Sequence, residues 1–331
     1  MGVPHVSQQA RAAESASAAT TASAAEASSA AESVSAAETA KAADTTSAAQ
    51  AETIAAAAAG QAGDENFPVA LRLLPSRYRR HLASVYGFAR AVDDMGDEAP
   101  AGERPRLLDE LDADLRRLYA QDPSTPGARL SVIRALRPVI VDCAIGQQPF
   151  SDLISANRQD QVVTRYATFD DLLAYCELSA NPVGRIVLAV FGVATPEREI
   201  LSDRVCTALQ IIEHLQDVAE DLGNGRVYLP AEDMETFGCA EQDLAASEAG
   251  ESLRDLVRFE AGRAADLLDS GAPLIGTLRG AARVAVAGYV AGGRAALAAI
   301  AAGEHDVLRS TPKPGKGRLA AEALRAYATG R

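Results

Sequence analysis

From about residue 64 onward, apolar side chains recur at helical spacing. Leu107, Leu108, Leu111, Leu115 and Leu118 keep one face of a single helix. Thr168-Phe-Asp-Asp171 has the form of a capping box and predicts a helix start. Thr195-Pro196 reads as an N-cap followed by a first-turn proline. The helix it opens is expected to run to Leu222 and to stop at Gly223 or Gly225. Residues 281–302 predict another long, Ala-rich helix in which Gly288 and Gly292 allow close packing. No stretch alternates with a period of two. The expectation is an all-α fold, a bundle of roughly eight to ten helices.

Two segments break the apolar rhythm. In 210–221, Gln210, Glu213, Asp217 and Asp221 occupy spacings that normally carry a buried apolar stripe. Carboxylates in such a stripe are costly to bury unless a cation pairs with them; the alternative is a face open to solvent. Gly223-Asn-Gly-Arg226 then turns the chain, and Arg226 is free to return towards the stripe or to pair with Glu220 or Asp221. In 86–98, Asp93 and Asp97 stand four apart on one helix face, one turn beyond Arg90. Like charges at that spacing repel unless something positive lies between them. Alone, this pair also reads as a solvated acidic helix end. The two motifs lie 124 residues apart on separate helices. Facing each other, they would clamp Mg²⁺, a hard ion that takes carboxylate and phosphate oxygens. A third irregularity is 175–185, where Pro182 predicts a helix kink and Ser179, Ala180 and Gly184 leave room for a ligand or for a neighbouring helix.

Composition narrows the picture. Residues 1–63 are almost entirely Ala, Ser, Thr and Glu, with hexads such as Ser23-Ala-Ala-Glu26, Ser29-Ala-Ala-Glu32 and Ser35-Ala-Ala-Glu38. Six residues turn a helix by about 240°, so the acids scatter over three faces and no packing stripe forms. A low-complexity, disordered tail is expected there, one globular domain over 64–310, and a basic tail over 311–331. Net charge is −13 in a chain of 331 residues, which argues against nucleic acid as a partner. Lysine occurs only at 41, 313 and 316, so Schiff-base and P-loop chemistry are excluded from the core. Four widely spaced cysteines fit free thiols in a reducing cytosol. No apolar stretch of transmembrane length with clean flanks and no secretory signal is evident. His81 and His305 read as surface or satisfied histidines; His214, beside the acid stripe, stays open as a functional group.

Taken with 65–69, 157–161, 175–185 and 226–230, the two acidic motifs make the chain resemble the squalene/phytoene synthase family over roughly residues 64–310. Within that family these stretches are most similar to the bacterial hydroxysqualene synthases of hopanoid biosynthesis. The resemblance implies one isoprenoid-synthase helical bundle around a deep apolar cavity. It implies that Asp93, Asp97, Asp217 and Asp221 organise Mg²⁺, and that Asn66, Arg90 and Arg226 hold diphosphate. Tyr86, Tyr175, Gln210 and Tyr228 would line the upper cavity, with Glu213 and His214 beside them. Glu213 stands where many relatives carry Asn, which adds a negative charge to the second motif. The implied reaction converts presqualene diphosphate and water to hydroxysqualene and diphosphate, without NADPH. The alternatives within the family are presqualene diphosphate, squalene or phytoene synthesis from two prenyl diphosphates. Outside it, the alternative is an inactive scaffold for hopanoid-pathway enzymes. A cytoplasmic protein is expected, in peripheral contact with the inner face of the membrane because its substrate is so apolar.

Overall fold

The computed structural model describes residues 49–55, 74–120, 127–309 and 316–331. Asn66, the 65–69 stretch, nearly all of the 1–63 tail and Lys313 lie outside the described residues. The chain divides after Gln50, and the larger unit is Ala51–Arg331.

Helices make up that unit: α1 (Ser76–Asp93), α2 (Arg104–Tyr119), α3 (Ser131–Cys143), α4 (Gln148–Gln159), α5 (Phe169–Ser179), α6 (Asn181–Val190) and α7 (Pro196–Gln216), then α8 (Val218–Gly223), α9 (Ala231–Thr236), α10 (Glu251–Gly271), α11 (Leu274–Thr277), α12 (Gly280–Ala302) and α13 (Lys316–Thr329). Among the described residues there is no named strand; Arg165 and Val227 form an isolated parallel bridge. The all-α expectation holds, and the local signals act as their chemistry dictates. Leu107, Leu108, Leu111 and Leu115 of α2 are fully buried. Thr168 Oγ1 accepts the Asp171 N–H (3.1 Å) while Asp171 Oδ2 accepts the Thr168 N–H (3.0 Å), the reciprocal pair of a capping box. Thr195 Oγ1 caps α7 through the Arg198 N–H at 3.3 Å.

Four expectations are corrected. The helix opened by Thr195 does not run to Leu222. It breaks at Asp217 (φ −110°, ψ 16°), the middle carboxylate of the stripe, where like charges four residues apart work against continuous helix. Pro182 does not kink a helix from within: α5 ends at Ser179, and Pro182 sits in the first turn of α6, where its missing N–H costs nothing. In α12 the close approach falls at Gly293. A Cβ there would lie 2.9 Å from both Leu209 and Leu268, whereas one on Gly292 would meet open space. Finally, α12 is long and apolar enough to cross a membrane by length and composition alone, although half of that stretch is buried inside the fold. It packs against α7, α10, α11 and α13.

The packed unit also begins before residue 64. Ala51 and Ala55 are fully buried. Glu52 Oε2 accepts the Ser131 N–H at 2.7 Å, so a carboxylate sits at the N-terminus of α3. Removing residues 1–63 is therefore expected to lower Tm by about 2–4 °C relative to removal of 1–48 only. Thermal melts of the two truncations check this; equal values would contradict it.

Candidate active site

The first wall forms where α1 runs out. After Asp93 the chain widens into a π turn, Asp94–Glu98, closed by the Ala99 N–H on Asp94 O (2.9 Å). Such turns re-aim side chains relative to a regular helix. Asn157 at the end of α4 reaches into the turn so closely that a Cβ on Gly96 would lie 2.1 Å from its Oδ1. Asn157 Nδ2 donates to Asp93 Oδ1 (3.3 Å), and Gln161 Nε2 donates to Gly96 O (3.0 Å). Asp93 and Asp97 both face the cavity. Asp94 turns away, buried, and pairs with Arg90 Nε at 2.8 Å. Arg90 Nη2 also binds Glu98 (2.6 Å). Arg90 thus ties the π turn together, and neither it nor Tyr86 is among the residues lining the cavity.

The second wall is the end of α7, the Asp217 break and α8. Gln210, Glu213, His214, Asp217 and Asp221 all line the same cavity. His214 Nε2 lies 3.2 Å from Gln210 Nε2, and its Nδ1 lies 3.7 Å from Asp221 Oδ2. Gly225, at φ 80°, lets the chain double back. The Arg226 N–H then bonds Asp221 O (2.8 Å) and the Val227 N–H bonds Thr164 O (2.9 Å). So placed, the Arg226 guanidinium crosses the mouth and donates to Asp97 Oδ1. The return predicted from the glycines occurs, and its partner is Asp97 of the first motif rather than Glu220 or Asp221.

Between the walls sits a group that sequence reasoning left unassigned. Asp160, 8% exposed, accepts hydrogen bonds from Tyr175 Oη (2.8 Å) and Tyr228 Oη (3.2 Å). Tyr228 stacks on His214 with ring centroids 3.7 Å apart at 11°. Asn157 and Asp160 lie within the 157–161 stretch that carried the resemblance, yet only contacts with residues distant in sequence reveal what they hold.

The cavity has a volume of about 300 Å³. A second, almost wholly apolar cavity of about 150 Å³ lies between α6, α7, α11 and α12, and Val183 belongs to both linings. Tyr289 lines the apolar one. Gly184, expected to make room for a ligand, also serves helix packing: a Cβ would lie 2.4 Å from Ser202 Oγ.

Charge decides what the polar cavity suits. Six carboxylates line it (Asp93, Asp97, Asp160, Glu213, Asp217, Asp221), with Arg226 as the arginine among the lining residues. Asp93 and Glu213 are exposed where they line the cavity, with the two walls crowded around their carboxyl groups. Desolvation accordingly pushes the Asp93 carboxyl up to about 7, opposed by the Asn157 hydrogen bond and reinforced by Asp97 and Glu213. Desolvation raises Glu213 as well, with Asp217 and Asp221 adding to it. Carboxylates this crowded and this short of positive charge fit a divalent cation. Among the described residues no three acids, cysteines or histidines converge into a ready-made metal cage.

A pH dependence follows for the metal-free protein. Asp93 releases its proton at about 3.8 when unfolded and at about 7 when folded. Between those values the folded state holds the extra proton, so stability falls as pH rises through the window. Asp93→Asn is expected to flatten that slope, and Mg²⁺ to raise Tm more at pH 8 than at pH 5. Thermal melts across pH check this; a wild-type slope unchanged in Asp93→Asn would contradict it.

The squalene/phytoene synthase family profile matches residues 60–318, which takes in both acidic walls and both cavities. The chain belongs to that family. A hydroxysqualene synthase of Zymomonas mobilis is 36% identical over 221 residues, 65% of this chain and 71% of the relative. A phytoene synthase of Mycobacterium tuberculosis is 33% identical over 227 residues, 68% and 72% of the two chains. Among solved structures, squalene synthase HpnC from Alicyclobacillus acidocaldarius superposes with a TM-score of 0.69 at 38% identity, covering 78% of this chain and 95% of the other. A dehydrosqualene synthase shares the fold at a TM-score of 0.71 and 24% identity, covering 85% and 97%. Family membership fixes an enzyme of the isoprenoid-synthase fold. Relatives with different products stand at similar identity, so membership alone does not select the product.

Proposed function

We propose that this protein converts presqualene diphosphate and water to hydroxysqualene and diphosphate. The observation that carries the reading is the convergence of six carboxylates on one cavity whose lining includes a single arginine, beside an apolar cavity that shares Val183. The substrate has the matching halves: a charged diphosphate that needs cations beside acidic walls, and a hydrocarbon body that needs an apolar recess. Relatives named hydroxysqualene synthase support this choice of product.

Asp93 and Asp97 on one wall, and Asp217 and Asp221 on the other, would hold Mg²⁺, with Glu213 beside Asp217 on the second wall. When bound, Mg²⁺ supplies charge neutralisation of the departing diphosphate. Arg226, anchored on Asp97 at the mouth, is placed to release that partner and take a diphosphate oxygen. The C–O bond of the substrate then breaks with its electron pair leaving on diphosphate. The cyclopropylcarbinyl cation left behind rearranges beside Tyr175, Tyr228 and His214, which line the cavity and exclude bulk water. One water adds to the rearranged cation and loses a proton, which gives the alcohol. No reductant enters this balance, so NADPH is not required. Work at the inner face of a membrane, beside other hopanoid-pathway enzymes, suits so apolar a substrate and product.

The test is turnover of presqualene diphosphate with Mg²⁺ in ¹⁸O-water and no NADPH. The expected product is an alcohol carrying ¹⁸O. A hydrocarbon product, or turnover of farnesyl or geranylgeranyl diphosphate in its place, would move the assignment to squalene or phytoene synthesis.

A further inference from the structure

Asp160 is a buried carboxylate inside the cavity that the metal-binding scheme does not use. It follows α4 directly, its N–H still bonded to Ala156 O at 3.0 Å, so its position is fixed by a helix end. Each of its oxygens receives one phenol: Tyr175 Oη on Oδ2 at 2.8 Å and Tyr228 Oη on Oδ1 at 3.2 Å. The two rings lie 5.5 Å apart, and Tyr166 packs on both, 5.5 Å from Tyr175 and 5.7 Å from Tyr228. His214 covers the far face of this group by stacking on Tyr228. A carboxylate beside a carbocation has two uses. It stabilises the cation by charge, and as a base it takes a proton from a neighbouring carbon and forms an alkene. The second would divert the reaction from alcohol to polyene.

We propose that Asp160 is a specificity-determining residue whose carboxylate, held by the Tyr175 and Tyr228 hydroxyls, stabilises the substrate cation without deprotonating it, so that water capture prevails over elimination. The inference rests on the proposed ionisation of a prenyl diphosphate in this cavity. Burial raises the basicity of the carboxylate on balance, and the two charge-assisted phenol bonds hold that rise in check. Remove the phenols and burial acts with less opposition. In the elimination route a C–H next to the cationic carbon gives its proton to Asp160, its electron pair forms the C=C bond, and Asp160 returns the proton to water. The product then lacks the elements of water relative to the alcohol, and nothing is oxidised or reduced.

The test is a set of variants read by product ratio. Tyr175→Phe/Tyr228→Phe is expected to raise the polyene-to-alcohol ratio about a hundredfold, the order of two lost hydrogen bonds to a charged group. Adding Asp160→Asn to that pair is expected to bring the ratio back down. Loosened packing around the missing hydroxyls would not be reversed by this change. An unchanged ratio in the double variant, or a raised ratio that persists in the triple variant, overturns the proposal. A second arm needs no turnover. Binding of a long-chain tertiary ammonium, which mimics the cation, is measured calorimetrically beside binding of inorganic diphosphate with Mg²⁺. Asp160→Asn is expected to weaken the ammonium about tenfold, the order of one buried charge pair, and to leave diphosphate binding within about twofold. Equal ammonium affinity in wild type and variant overturns the proposal. Wild-type protein that binds the ammonium through Asp160 but releases no diphosphate from any prenyl substrate would instead count against the ionisation reading alone.

Discussion

Asp217→Asn is expected to lower kcat for diphosphate release by about 10²–10³-fold, the usual cost of one charge-stabilising group in a preorganised site, without a fall in Tm. Asp217 stands at the break between α7 and α8, where its side chain enters the cavity among Glu213, Asp221 and Asp93. The substitution keeps shape and removes one charge from a crowded set, so repulsion within the metal-free site is relieved. The expected signature is therefore a split: activity falls, stability holds or rises, and the Mg²⁺ concentration for half-maximal rate increases. Steady-state kinetics across Mg²⁺ concentrations and a thermal melt supply both readings. A kcat within about threefold of wild type would remove Asp217 from the catalytic scheme and return the acid stripe to the status of a solvated face.

Gly96→Ala is expected to damage stability and activity together. The added Cβ would lie 2.1 Å from Asn157 Oδ1 and 3.0 Å from Asn157 Cγ, so Asn157 must leave its place. Overpacking of this kind costs about 1–3 kcal/mol, and here Asp93 also loses its hydrogen bond from Asn157. A fall in Tm and at least about a tenfold fall in kcat are expected together, since misplacement of a metal-binding carboxylate by a fraction of an ångström is costly. Pairing Gly96→Ala with Asn157→Ala makes room for the methyl and is expected to restore Tm but not kcat. Recovery of both would show that Asn157 only fills space.

These two cases mark what the sequence carried and what it could not. The stripe of Gln210, Glu213, Asp217 and Asp221 was legible because four polar residues stood where helix periodicity demands apolar ones. Periodicity is silent on whether such a helix continues, and the break at Asp217 came from repulsion within the stripe. The Asp93–Asp97 spacing was legible as well, but on a regular helix Arg90 follows the same face. Instead Arg90 pairs with Asp94 four residues on, and the π turn that follows carries Glu98 to the same guanidinium. Capping residues at Thr168 and Thr195 acted as expected because their chemistry is local. Asp160 was missed because its meaning lies in contacts with Tyr175 and Tyr228, the latter 68 residues away. Gly293 was missed for the same reason: which glycine of α12 admits a neighbour depends on where Leu209 and Leu268 arrive.

The central claim is that the two acidic walls use Mg²⁺ to release diphosphate from a prenyl substrate. It is tested most directly by measuring diphosphate release from presqualene diphosphate in the presence of Mg²⁺ and again after chelation with EDTA. The account predicts steady release with Mg²⁺ and none above the uncatalysed background with EDTA. Release that persists in EDTA, or no release with Mg²⁺ from a folded protein, would contradict it.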